Sequence, residues 1–195
     1  TTPNLPVRYE IDNDATGAAD TFDCICSTVI SEGGQQEIGQ LRYKSTAATA
    51  INANAAGSIY VVLGIRLKST HLGTSILLSR ATLISSTADD YEWLVLLNPT
   101  LDSAVSFSNE TNSALQTAVG NAGNPSTSTV SATGTVLNGG YVKSSGSTGS
   151  VDVSLSNALR IGAAIDGTPD ELYLCVRPLG ANADIHGGLG WHELL

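Results

Sequence analysis

Charge is what this chain has least of: Asp, Glu, Lys and Arg make up 14% of its 195 residues, against about 25% in an average globular protein. Eighteen acidic and nine basic residues leave a formal net charge of −9. Proteins that bind nucleic acid neutralise phosphates with a stripe of Lys and Arg. Here the basic residues (Arg8, Arg42, Lys44, Arg66, Lys68, Arg80, Lys143, Arg160 and Arg177) are scattered and never form a run, which argues against nucleic acid as a partner. Long apolar runs are also missing. None approaches the roughly 20 residues that a spanning helix needs, so a membrane role is not expected. No basic-then-apolar leader opens the sequence. Thr1 at the start fits removal of an initiator Met, cleavage of a precursor, or a fragment equally well.

Methionine is absent and aromatic residues amount to 5%, so any core must be built from aliphatic side chains. The 42% of hydrophobic residues is enough to bury one and excludes a disordered chain. Cysteine is sparse. Cys24, Cys26 and Cys175 leave at least one thiol unpaired in a monomer. Two residues apart on a strand-like run, Cys24 and Cys26 share a face and do not easily bridge each other. All three read as small buried hydrophobes in a reduced, intracellularly made protein, with a disulfide from Cys175 to either of the others as the alternative.

What is present is a succession of short strand signals in a vocabulary of Ser, Thr, Gly, Ala and Asn. Residues 5–11 (LPVRYEI) alternate most clearly, with Leu5, Val7, Tyr9 and Ile11 on one face. Strands are expected at 22–30, 38–43, 59–67, 75–84, 92–97, 104–107, 130–137, 141–143, 151–155, 171–177 and 191–195. Residues 45–58 and 120–128 read as long loops because their Asn, Gly, Ser and Thr favour turns. The stretches 144–150 and 166–171 read as tighter turns. About ten short strands between turn clusters predict an all-β, antiparallel β-sandwich, jelly-roll-like, with long Ser/Thr/Gly/Asn-rich loops. Residues 1–195 fit a single domain with an extended N-terminal arm over 1–20.

Several groupings are weighed for chemistry. Asp12, Asp14, Thr16, Asp20 and Asp23 place oxygens at positions 1, 3, 5, 9 and 12 of a calcium-type loop, with Gly17 at position 6. Position 12 is Asp rather than a bidentate Glu and the flanks read as strands, so a solvated Asx-rich hairpin loop competes with a calcium site. His71, His186 and His192 lack neighbouring cysteines and the spacing of a zinc set, and are read as loop histidines. Paired carboxylates for sugar cleavage could come from Asp89, Asp90 and Glu92, or from Asp170 and Glu171, although both groups look like solvated turn acids. No nucleophile elbow is found. Asn109-Glu110-Thr111 matches a glycosylation acceptor, relevant only to a protein secreted by a eukaryote. Trp93, Trp191 and Tyr141 could stack on sugar rings, and Trp191 is read as a core or interface anchor. No catalytic, cofactor or metal residue is assigned.

Segments 5–11 (LPVRYEI) and 26–34 (CSTVISEGG), followed more weakly by 65–68, 94–101, 109–115, 134–146 and the closing GWHELL, resemble a β-rich module of tailed-bacteriophage virion structural proteins, of decoration or fibre type. The resemblance implies a non-enzymatic structural component of the virion, most simply a homo-oligomeric capsid decoration (cement) protein, without cofactor. Its implied partners are copies of itself, as a trimer, and other virion proteins such as the major capsid protein. Its implied location is the virion, assembled in the host bacterial cytoplasm. The alternative is a tail- or head-fibre module that attaches to a cell-surface glycan. A hydrolase is a third and weaker reading.

Overall fold

A computed structural model describes residues 39–87, 89–143, 150–154, 160–164, 166–181 and 183–194. All belong to one compact unit, Glu37–Leu195. The expected strands at 5–11 and 22–30, the Asp12–Asp23 loop, Cys24, Cys26 and nearly all of the 144–150 turn lie outside the described residues.

The described residues form strands and no helix: β1 (Gln40–Ser45), β2 (Ile51–Ala53), β3 (Tyr60–Leu67), β4 (Ser75–Ser85), β5 (Tyr91–Leu97), β6 (Thr100–Leu101), β7 (Ser108–Asn109), β8 (Leu115–Val119), β9 (Val130–Ala132), β10 (Thr135–Val142), β11 (Ser150–Ser154), β12 (Arg160–Ile161), β13 (Glu171–Pro178) and β14 (Ala183–Leu194). Every pairing between them is antiparallel. One sheet, A, runs β1-β14-β4-β11, with β2 also on β14 and β12 also on β4. The second, B, runs β10-β5-β13-β3-β8-β7, and β6 with β9 makes a small ribbon.

The winding is that of a jelly roll. Along the chain, β5 pairs β10, β4 pairs β11, β3 pairs β13 and β1 pairs β14. The chain is thus one long antiparallel hairpin whose successive pairs fall alternately into sheet B and sheet A. Closing the hairpin brings β14 beside β4 and β13 beside β5, which joins each sheet internally.

The two sheets are buried differently, and the sequence reflects it. Sheet A shows one face to the core, so β14 alternates: Ile185, Gly187, Leu189, Trp191 and Glu193 are buried inward, while His186 and His192 stand half-exposed on the opposite face. Sheet B is covered on both faces. Tyr60, Val62, Ile65, Val95, Leu172 and Leu174 pack into the main core against sheet A, whereas Val61, Leu94, Leu96, Tyr173 and Cys175 form a second cluster with Val105 and, partly buried, Leu101, Phe107 and Val130. A strand covered on both sides must be apolar throughout, which is why β3, β5 and β13 read YVVLGIRL, YEWLVLL and ELYLCVRP. Full burial of each such aliphatic side chain contributes about 1.5–3 kcal/mol.

Several expected elements are corrected. Residues 104–107 are not a strand: Val105 and Phe107 alternate because they cap the outer face of sheet B, and pairing begins only at β7. The expected strand at 130–137 is two, β9 and β10, parted at Gly134, whose φ of +59° favours glycine. Residues 45–58 contain β2, and the apolar run of β8 was not anticipated. The strand expected at 191–195 begins much earlier, at Ala183, so that the Gly-rich stretch before Trp191 is the first two-thirds of β14.

Candidate functional site

The outer face of sheet A has a glycine floor. A Cβ on Gly188 would overlap the Tyr43 hydroxyl and stand 2.8 Å from Thr82 Oγ1, and one on Gly190 would press on Ser79 at 3.3 Å. Without those side chains Tyr43 packs from β1 over β14, its hydroxyl 3.3 Å from Thr82 Oγ1 on β4. Leu41, Tyr43 and Ile84 are left 64%, 57% and 39% exposed on this sheet. A cavity of about 410 Å³ lies between Tyr43, Thr46, Arg80, Ile84 and His186, and a smaller one of about 220 Å³ between Leu41, Tyr43, Arg80 and Gly190. Single exposed apolar residues are normal, whereas these three stand on one face of the sheet, linked through Tyr43 by the two cavities.

On the other sheet, Arg66 is the centre of a polar cluster. Its Nη1 donates to Glu171 Oε1 at 2.7 Å and its Nε to Gln116 Oε1 at 2.7 Å. The guanidinium sits 4.2 Å from the centroid of the Phe107 ring, a cation–π placement. Phe107 meets Tyr173 edge to face, at 6.0 Å between centroids. Tyr173 in turn donates its hydroxyl to Glu171 Oε2 at 2.5 Å. Burial, reinforced by that hydrogen bond to a carboxylate, pushes the Tyr173 phenol well above its usual range. Arg66, Phe107, Glu171 and Tyr173 line a cavity of about 430 Å³ whose other wall is Pro99, Leu101, Ala104 and Val105.

A third cluster locks the turn at 110–113 to sheet A. Glu193 is 1% exposed and accepts from Ser113 Oγ, from the Ala114 amide at 3.1 Å and from Trp191 Nε1 at 2.9 Å. Lys68 donates to the carbonyls of Glu110 and Ser113 at 2.8 and 2.6 Å. Lys44 reaches across from β1 to Glu110 at 2.5 Å, and Arg42 donates to the carbonyl of Asn112. The hydrogen bonds to Glu110 from Lys44 and Thr117 hold its carboxyl below the usual carboxylate range.

The residues singled out by the sequence are scattered rather than gathered. Glu92 lies in β5 and not in a turn; it pairs with Arg177 at 2.6 Å, directly across the β5·β13 ladder. Glu171 is likewise a strand residue, at the other end of that ladder, and the neighbouring Asp170 accepts from Asn98 at 2.9 Å. The two carboxylate groups are therefore a strand length apart. His186 and His192 belong to β14 rather than a loop, whereas His71 is in a loop, its Nδ1 2.8 Å from Thr70 Oγ1. Trp93 and Trp191 are buried in the main core and offer no stacking face, while Tyr141 is 72% exposed on β10. Asn109 is exposed on β7 and accepts from Gln116. Cys175 is a buried free thiol, its pKa pushed up by desolvation. Among the described residues, no three His, Cys, Asp or Glu side chains stand close enough to hold a metal ion.

The Arg66 cluster was missed because its members come from β3, β13, β8 and a loop. The one local signal was the i, i+2 spacing of Glu171 and Tyr173, which puts both on one face of a strand. Compared with known proteins, the chain matches no family model, no curated protein and no solved structure.

Proposed function

We propose that the chain is a non-enzymatic structural component of a bacteriophage virion, a homo-oligomeric capsid decoration protein assembled in the bacterial cytoplasm. Its partners on this reading are copies of itself, as a trimer, and the major capsid protein. The observation that carries the proposal is the outer face of sheet A, where Leu41, Tyr43 and Ile84 stand exposed around the glycine floor of β14. A face of small and apolar residues suits close packing between protein subunits. The jelly roll adds support by analogy only, since viral capsid proteins and lectins share that architecture.

Light scattering on the purified chain tests self-association. An oligomer is expected, and Leu41→Asp with Tyr43→Asp should return it to a folded monomer. A monomeric mass at high micromolar concentration would sink the proposal. Placement on the particle is tested by electron microscopy of virions carrying a tagged copy, with density expected at the capsid surface.

A further inference from the structure

We propose that the cavity beside Arg66 is a binding site for a neutral oligosaccharide. This goes beyond the structural role above, which rests on the other sheet and stands whichever way the present test falls.

The cavity's size, about 430 Å³, falls within the roughly 300–1,000 Å³ of small-molecule sites. Its two walls differ. One carries Arg66, Glu171 and the Tyr173 hydroxyl, fixed to one another at 2.5–2.7 Å. The other is apolar, with Leu101, Val105 and the Phe107 ring. The side chains of Arg66 and Glu171 remain 31% and 32% exposed, so both can be reached from solution.

The charge pattern selects the ligand. An anion drawn to Arg66 would meet the Glu171 carboxylate 2.7 Å away, and a cation drawn to Glu171 would meet the guanidinium. A hydroxyl escapes both penalties, because it accepts from the guanidinium and donates to the carboxylate at once. A sugar ring presents such hydroxyls on its edge and C–H groups on its face, matching the polar and apolar walls respectively.

Length follows from a second cavity. Arg66 also lines a neighbouring space of about 420 Å³, with Asn109, Gln116, Thr70 and Lys68. The Lys68 ammonium is already engaged by two backbone carbonyls, so this space too is chiefly one of amides and hydroxyls. Two adjoining cavities sharing one arginine accommodate at least two sugar units.

The test is a glycan array probed with the labelled full chain, followed by calorimetric titration of each neutral hit. Binding to neutral glycans of two or more units is expected. Glu171→Gln should weaken it about tenfold or more, the loss of a charge-assisted hydrogen bond. Ala104→Trp fills the cavity from an exposed position while leaving Arg66, Glu171 and Tyr173 themselves unchanged, and should abolish binding while the melting temperature is retained. Tyr141→Ala, on β10, should change nothing. The absence of any neutral hit, hits confined to sialylated or sulfated glycans, or full binding by the Ala104→Trp variant would overturn the inference.

Discussion

The Trp191 indole nitrogen donates to Glu193 Oε1 at 2.9 Å, two residues along the same inward face of β14. That carboxylate reaches out of sheet A to the Ser113 hydroxyl and the Ala114 amide, immediately before β8 of sheet B. A closing Trp-x-Glu on one strand thereby joins the two layers of the sandwich. Because Glu193 is 1% exposed, its partners have no water to turn to.

Removing this acceptor should be costly. Glu193→Ala leaves the buried Trp191 and Ala114 N–H groups unsatisfied, at about 1–3 kcal/mol each. Chemical denaturation should show a loss of about 3 kcal/mol, and Trp191→Phe a smaller one. A Glu193→Ala variant as stable as the parent would refute the joining role.

Glu110 gives an acid-side prediction. Its carboxyl is held below its ordinary value of 4.5 by hydrogen bonds from Lys44 and Thr117, so the folded state favours the charged form. The resulting stability is present above pH 4.5 and is lost as pH falls through the lower, folded-state pKa. Glu110→Gln should therefore be less stable than the parent at pH 7, by about 1 kcal/mol for this partly exposed pair. The two should converge in acid. Melting curves across that range provide the check.

Tyr91 gives the alkaline counterpart. Burial raises its phenol from 10.0 to about 12, so the unfolded chain ionises first. The stability tied to the neutral phenol is intact below pH 10.0 and drains away as pH rises toward 12. Tyr91→Phe should flatten this alkaline decline in a stability-versus-pH series; an unchanged slope would contradict it.

Gly134 separates β9 from β10 at a φ of +59°. A Cβ there would also collide with the carbonyl oxygens of Leu97 and Asn98. Gly134→Ala should lose about 1–3 kcal/mol in denaturant titrations, from backbone strain and the displaced carbonyls.

Much of sheet B was legible because continuous apolar runs such as 59–67 carry their own burial signal. The errors share one cause. Val105 and Phe107 look like strand residues by period, yet their apolar faces are used for capping. Gly187, Gly188 and Gly190 look like a loop, yet in β14 they are the places where Val62, Tyr43 and Ser79 come close. Glycine signals an open turn and a crowded strand equally well, and only the neighbour decides between them.

The sequence by itself determined that this is an all-β chain with an aliphatic core and little surface charge, because alternation, turn residues and composition are local properties. Only the tertiary structure decided that β14 is one continuous strand, that Glu193 joins the sheets, and that Arg66, Phe107, Glu171 and Tyr173 share a cavity. Those relations join residues far apart along the chain, Arg66 and Glu171 by 105 positions. They exist because the long hairpin winds back on itself, and no local pattern encodes where it closes.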